Sequence, residues 1–274
     1  MPLRRVAAVL CAAFAVSGCA SLSYDPGDEP GFSKRLIRGR DFILFSCIKV
    51  ESPGEPLTVY IEGDGRAWVT RYEPSRDPTP LNPLAMELAG RDPSPNVAYL
   101  ARPGQYPSLG ASECDAKYWM SKRFAPEVID AMDSAVSSLK EAAQASSVLL
   151  VGYSGGAAVA VLVAARRDDV AVLRTVCGNL DCSEVSRYNK VSPLAGSLDP
   201  IDEAEKVSKI PRRHFIASSD KIIPFSATER FADKSGDTAH RSISVIEGTT
   251  HYSGWGEKWR RLLAEPLYKF PEES

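Results

Sequence analysis

A chain of 274 residues, 44% hydrophobic and 25% charged, can bury a sizeable core, and at this length one α/β domain is as natural as two. Its 33 Lys+Arg against 35 Asp+Glu give a net charge of -2. The sequence carries no basic run or basic face of the kind that tracks phosphates, which argues against nucleic acid as a partner.

The chain opens on MPLRR, a positive n-region, followed by VAAVLCAAFAV, an apolar stretch too short to cross a bilayer core of roughly 30 Å as a helix. This pairing predicts a cleaved signal peptide over residues 1–18. The segment ends in Val16, Ser17, Gly18 and Cys19, which resembles the bacterial lipobox. The resemblance implies that Cys19 is lipidated, in the manner of a palmitate-bearing lipoprotein, and becomes the first mature residue. Ordinary secretion with cleavage nearby is the alternative. Ala20 beside the cysteine, in place of Asp, implies sorting to the outer membrane, facing the periplasm, in a Gram-negative host. After Cys19 the stretch ASLSYDPGDEPGFSK is rich in Ser, Asp, Pro and Gly and has no period, so residues 19–40 are expected to form a flexible tether.

Of six cysteines, Cys11 leaves with the signal and Cys19 is assigned to the lipid. Cys47, Cys114, Cys177 and Cys182 remain, in a compartment where pairing is allowed, with three possible connectivities. Cys177 and Cys182 could close a tight loop, yet Cys47 and Cys177 also sit in apolar runs that suit a buried free thiol.

Residues 41–274 alternate short apolar runs with helical patterns. Strands are predicted at 42–48, 57–62, 96–100, 147–152, 170–176, 213–218 and 242–247. Helices are predicted at 81–90, 126–144, 156–167, 200–207, 226–233 and 257–264. Several strands are continuously hydrophobic, as strands buried on both faces should be. The alternation predicts a single α/β domain, a mostly parallel sheet with helices on both faces.

At the end of the fourth predicted strand the chain reads VLLVGYSGGAAV, so Gly152, Tyr153, Ser154, Gly155 and Gly156 match G-x-S-x-G between a strand and a helix. A serine hydroxyl is a weak nucleophile that needs a base within hydrogen-bond reach. The chain has three histidines. His214 lies inside a strand pattern and His240 in a polar turn, whereas His251 follows the last strand in the small-residue loop EGTTHYSGW. These features together resemble the serine α/β-hydrolases, esterases and lipases among them, over roughly residues 41–265.

The resemblance implies an α/β-hydrolase fold with a short cap segment, no cofactor and no metal. Ser154 would be the nucleophile, His251 the base, and an aspartate between them in chain order the third member. Asp220, which ends a strand in SSDKIIPF, fits best, with Asp199 in GSLDP as the alternative. The oxyanion donors would be the backbone N–H of Gly155 and that of Asp64 in VYIEGDGRAW, with Gly65 the alternative to Asp64. Tyr153 and Gly65 would face the substrate. Here the sequence departs from the pattern, because Glu62 stands where the family carries a histidine and Asp64 adds a second carboxylate. Two anions beside a developing oxyanion oppose it unless they are paired or turned away, and Arg66 is the nearest cation in sequence. They could instead recognise a cationic or hydroxyl-bearing substrate.

Segments 104–124 and 178–198 carry little helix or strand signal and are long for loops, so they are expected to shape the cleft. Tyr106, Tyr118 and Trp119 would either line it or pin the loop. A short second segment implies an open site for a small or protruding acyl ester. Scattered histidines and no Cys-x-x-Cys give no metal-ligand spacing. The function expected is that of a monomeric, lipid-anchored serine hydrolase of the cell envelope. The rival is a catalytically silent α/β-hydrolase fold used for binding or scaffolding. The anchor is checked by expression in a bacterium with labelled fatty acid: wild type should incorporate label and enter the detergent phase, and Cys19→Ala should do neither.

Overall fold

The computed structural model describes residues 25–70 and 72–269, so the expected signal segment and Cys19 lie outside the described residues. The strands are β1 (Ser33–Gly39), β2 (Phe42–Val50), β3 (Leu57–Ile61), a hairpin of β4 (Trp68–Thr70) and β5 (Glu73–Pro74), β6 (Asn96–Leu100), β7 (Val148–Tyr153), β8 (Val170–Val176), β9 (Arg212–Ser219) and β10 (Ile243–Thr250). The helices are α1 (Leu84–Gly90), α2 (Pro126–Ala142), α3 (Gly155–Ala164), α4 (Cys182–Asn189), α5 (Phe225–Lys234) and α6 (Gly256–Leu263). An eight-stranded sheet runs in the order β1-β2-β6-β3-β7-β8-β9-β10. The β1–β2 and β2–β6 pairs are antiparallel, and from β6 to β10 every neighbouring pair is parallel.

The central strands explain themselves. Every residue of LTVYI in β3 and of NVAYL in β6 is buried, because helices cover both faces. Successive side chains still alternate between faces: Leu57, Val59 and Ile61 join the core under α2 and α3, while Tyr60 points into the core beneath α1 and α6. On that second face the Trp259 indole N–H donates to the Tyr60 hydroxyl at 2.9 Å, which donates to Asp92 at 2.7 Å, so the polar ends of two large buried rings are satisfied. Helix α3, GGAAVAVLVA, is buried along its whole length, which matches an apolar character all round its axis.

The mostly parallel sheet with helices on both faces is the predicted fold class, and all seven predicted strands form. Three local expectations are corrected. The tether does not extend to residue 40, since Ser33–Gly39 is strand β1, paired along its length with β2. Its first four residues are exposed, and Lys34, Arg35 and Arg38 keep this edge charged, which hides the strand from a search for apolar alternation. Segment 178–198 is not without helix: α4 forms there because Asp181 caps Glu184 N–H at 2.9 Å and the distant Asp199 carboxylate takes the N–H groups of Cys182 and Ser183 at 3.0 and 3.3 Å. The helix expected over 200–207 is only a 3₁₀ turn, Pro200–Glu203, entered through a proline. Cys47, Cys114, Cys177 and Cys182 are free thiols, so none of the three pairings is present among the described residues.

His214 lies on β9, wholly buried, with its Nδ1 and the Thr175 hydroxyl 2.8 Å apart. Burial, with the Arg212 charge adding to it, pushes its pKa from 6.5 down to about 3. The native state therefore keeps this ring neutral, while the unfolded chain takes up a proton below pH 6.5. Stability should fall as pH drops from 6.5 toward 3, this residue contributing a slope of about 1.4 kcal/mol per pH unit. Urea unfolding across that range should show the slope, and His214→Gln should flatten it by this amount.

Candidate active site

The site is built where β7 turns directly into α3. Ser154 joins them with φ 51 and ψ -117, a conformation that a non-glycine residue holds only when its surroundings impose it. Two of the flanking glycines are needed for the close approach. A Cβ at Gly152 would fall 2.4 Å from the Ala157 Cα, and one at Gly156 would fall 2.2 Å from the Ile61 carbonyl oxygen. The turn is locked by the Ser154 N–H donating to the Val176 carbonyl at 2.9 Å and by the Asn179 N–H donating to the Ser154 carbonyl at 3.1 Å. The Ser154 side chain is left partly exposed at the strand end.

Facing it, the loop after β10 brings His251 Nε2 to 3.1 Å from Ser154 Oγ. His251 Nδ1 lies 2.9 Å from Asp220 Oδ2, in the turn that follows β9. The other carboxylate oxygen, Oδ1, accepts the N–H groups of Ile222 and Ile223 at 2.8 and 2.9 Å, which fixes the acid. Burial acts to raise the Asp220 pKa, but the His251 contact and these two N–H groups outweigh it and hold the carboxyl below its ordinary value. An ionised acceptor there favours the tautomer with a proton on Nδ1, leaving Nε2 able to accept from Ser154. The Tyr153 hydroxyl donates to the His251 carbonyl at 3.1 Å, and its ring lines the same cavity as Ser154. Tyr153 thus both walls the cavity and ties down the histidine loop.

Sequence reasoning left Asp220 and Asp199 as alternatives, and the structure brings Asp220 to the histidine while Asp199 caps α4. His240 lies at the surface, 2.9 Å from Asp233. Cys177 sits beneath the array, with ligand atoms of Cys177, Asp220 and His251 all within 4.8 Å of one another. The donor set does not suit a cation: both ring nitrogens of His251 and both oxygens of Asp220 are already engaged, and burial, helped by Asp220, pushes the Cys177 pKa up and keeps a neutral thiol.

The loop after β3 supplies the other wall. Asp64 is not left as a bare anion: its carboxylate is bonded by Arg123 and lies 3.5 Å from the Arg102 guanidinium. Arg66, the nearest cation in sequence, forms no ion pair with Glu62 or Asp64, whereas Arg102 and Arg123, which sequence reasoning missed, do reach Asp64. Their signal is faint, a buried arginine just past an apolar strand and another in a loop. The Asp64 carboxylate packs against the start of α3, where a Cβ at Gly155 would fall 2.0 Å from Oδ1. A side chain at position 155 would displace this carboxylate. Among the described residues no group takes the backbone N–H of Gly155 or of Asp64. Glu62 is turned back, its Oε1 accepting the Gly63 N–H at 2.8 Å, and burial pushes its carboxyl up to about 7 against the opposing effect of that bond.

These walls enclose an open cavity of about 530 Å³, lined by Asp64, Arg66, Trp68, Leu84, Ile222 and Tyr252 beside Ser154 and His251. Tyr106 and Trp119 pin the 104–124 loop and do not line this cavity: Trp119 donates to the Ser75 carbonyl at 3.1 Å, and Tyr106 is buried with its hydroxyl 3.0 Å from that of Tyr99. Tyr118 packs edge-on against Phe42, with ring centroids 5.0 Å apart.

Fold and site geometry together define an α/β-hydrolase fold. Solved structures agree. The chain is similar to puromycin hydrolase, with a TM-score of 0.60 and 17% identity over 88% of this chain and 39% of that one. It is similar to Est1E from Butyrivibrio proteoclasticus, with a TM-score of 0.55 and 14% identity over 84% and 93% of the two chains. A Pyrococcus furiosus esterase gives a TM-score of 0.56 and 12% identity over 87% and 91%. The chain therefore spans about two fifths of puromycin hydrolase and nearly the whole of the two esterases. No protein-family profile and no curated protein sequence matches it. A fluorophosphonate probe, which reacts with a serine hydroxyl activated by a neighbouring base, should modify wild-type protein at Ser154 and leave Ser154→Ala unlabelled. Absence of label on folded wild type would contradict an activated serine.

Proposed function

We propose that the chain is a serine hydrolase that cleaves an ester-type bond through Ser154, His251 and Asp220. The observation that carries this reading is the unbroken array from the Ser154 hydroxyl to His251 to Asp220, at 3.1 and 2.9 Å, beneath an open cavity. Ser154 Oγ attacks the substrate carbonyl and passes its proton to His251 Nε2. Asp220 steadies the imidazolium. As the tetrahedral intermediate collapses, His251 protonates the leaving alcohol, and an acyl-Ser154 ester remains. Water, deprotonated by His251, then attacks that ester and releases the acid. The backbone N–H groups of Gly155 and Asp64 receive the oxyanion, and two such donors are worth about 3 to 4 kcal/mol each.

The Arg102 and Arg123 pairing of Asp64 supports this oxyanion assignment, since it cancels the charge that would oppose it. It also speaks against a cation-binding role for Asp64. The cavity size and its apolar walls favour a small or protruding acyl group over a long buried chain. Cys19, by its lipobox-like setting, would hold the enzyme at the periplasmic face of a bacterial membrane. A purely scaffolding role leaves the strained Ser154 and the three-residue array without a purpose.

Hydrolysis of a short-chain p-nitrophenyl ester tests the assignment. Wild type should turn over with an acyl-enzyme burst. Asp220→Asn should keep the fold and lower kcat by about 10⁴, because the amide favours the wrong imidazole tautomer. Asp199→Asn should cost stability in α4 and leave kcat near wild type. The opposite ranking transfers the third role to Asp199.

A further inference from the structure

The turn after β6 sets a glutamine behind the loop that carries Glu62 and Asp64, and its two bonds have a direction. Gln105 is 1% exposed. Its Oε1 accepts the Arg102 backbone N–H at 2.9 Å, and its Nε2 donates to the Gly63 carbonyl at 3.0 Å. One partner is a donor and the other an acceptor, so the amide has a single satisfactory orientation. Glu62 Oε1 grips the same glycine from its other end by accepting the Gly63 N–H at 2.8 Å. Gly63 is thereby fixed at both of its polar groups.

That grip decides where the next N–H points. In a trans peptide the carbonyl oxygen and the amide hydrogen lie on opposite sides of the C–N bond. With the Gly63 carbonyl turned inward to Gln105, the Asp64 N–H turns outward, toward the cavity that Asp64 and Ser154 line. Gly65 makes room for this arrangement: its φ is +61, and a Cβ there would fall 2.0 Å from the Pro78 carbonyl oxygen and 2.9 Å from Gln105 Nε2. A hydrogen bond at the carbonyl also polarises the peptide and strengthens the N–H at its other end.

We propose that Gln105 is the positioning residue of the oxyanion hole, holding the Gly63–Asp64 peptide so that the Asp64 N–H meets the carbonyl oxygen of a substrate under attack by Ser154. This rests on the hydrolase reading. Gln105 touches no substrate; it acts through Gly63.

The test compares wild type, Gln105→Glu and Gln105→Leu on a short-chain p-nitrophenyl ester, with melting temperatures to certify folding. When ionised, Gln105→Glu still accepts from Arg102 but faces the Gly63 carbonyl with a second acceptor; when protonated, it again offers a donor. Its kcat should fall about 10- to 100-fold at pH 8, part of what the loss of a whole donor costs, with KM within about twofold. The ratio of its kcat to that of wild type should climb as pH is lowered toward 5. Dividing by the wild-type rate at each pH removes the pH dependence that the two proteins share, and Gln105→Leu, which adds no carboxyl beside Glu62, is the control for the rest. Gln105→Leu should show the loss with a flat ratio. Affinity for a trifluoromethyl ketone, whose adduct places an oxyanion in the hole, should weaken by the same factor as kcat/KM.

A folded Gln105→Glu with wild-type kcat, a loss confined to KM, or a ratio that ignores pH overturns the proposal. Should Gln105→Leu melt below the assay temperature, the pH ratio of Gln105→Glu and its inhibitor affinity decide the matter. Wild type that neither reacts with a fluorophosphonate nor turns over ester removes the hydrolase reading and this proposal with it, whereas active wild type beside unimpaired Gln105 variants removes this proposal alone.

Discussion

The structure depends on one backbone reversal, in which a buried parallel strand becomes a buried helix with only Ser154 between them. A helix that starts this close to the sheet must press its first turn against the ends of β3 and β7, and any Cβ at Gly152 or Gly156 would meet backbone at 2.4 Å or less. The strain at Ser154, of order 1–3 kcal/mol for such a conformation, is held by the packing of α3, whose residues are all buried. The same packing aims the serine hydroxyl out of the sheet. It also leaves the N–H of Gly155, at the start of α3, without a partner among the described residues, next to a serine that lines the cavity, where a helix start favours negative charge. The proposed nucleophile and first oxyanion donor thus follow from a single geometric necessity.

Charge is the second constraint, and it is met over distance. An aspartate beside an oxyanion is a liability that sequence neighbours do not relieve. Arg102, almost wholly buried, is brought to it by the turn after β6, and Arg123 by the loop that leads into α2. Burial lowers the Arg102 pKa to about 10 against the favourable pull of Asp64, so the guanidinium stays charged at neutral pH. Segment 104–124 serves here as a brace more than as a lid. Its aromatic residues anchor it to the body of the fold, and its arginine supports the loop after β3.

Much of this was legible in the sequence, for definite reasons. Buried parallel strands announce themselves as continuous apolar runs. A G-x-S-x-G between such a run and an alanine-rich helix has one structural use that explains every glycine in it. His251 stands out in the sequence because it follows the last strand, whereas His214 lies within a strand pattern and His240 in a polar turn. What stayed hidden depends on partners far apart in the chain. Helix α4 has a local cap in Asp181, but its first N–H groups are held by a carboxylate 17 residues away, which its own composition does not reveal. Strand β1 pairs through its backbone while most of its side chains face solvent. The pairing of Asp64 joins residues 59 apart, and the free state of the four thiols is a matter of spatial separation that spacing does not encode.

Glu62 shows how the two constraints meet. Where the hydrolase pattern carries a histidine, this chain places a buried carboxyl whose pKa is raised to about 7, bent back on the N–H of the residue that follows it. Glu62 lines the cavity that holds Ser154, yet among the described residues its short bond is to the Gly63 N–H and none joins it to Ser154, His251 or Asp220. The departure from the pattern is therefore a change in how the loop after β3 is braced. In this chain that loop is braced from within by Glu62 and from behind by Gln105, and the carboxylate it carries is covered by two arginines. Among the described residues the backbone N–H groups of Asp64 and Gly65 are both left without a partner, and both residues line the cavity at Ser154.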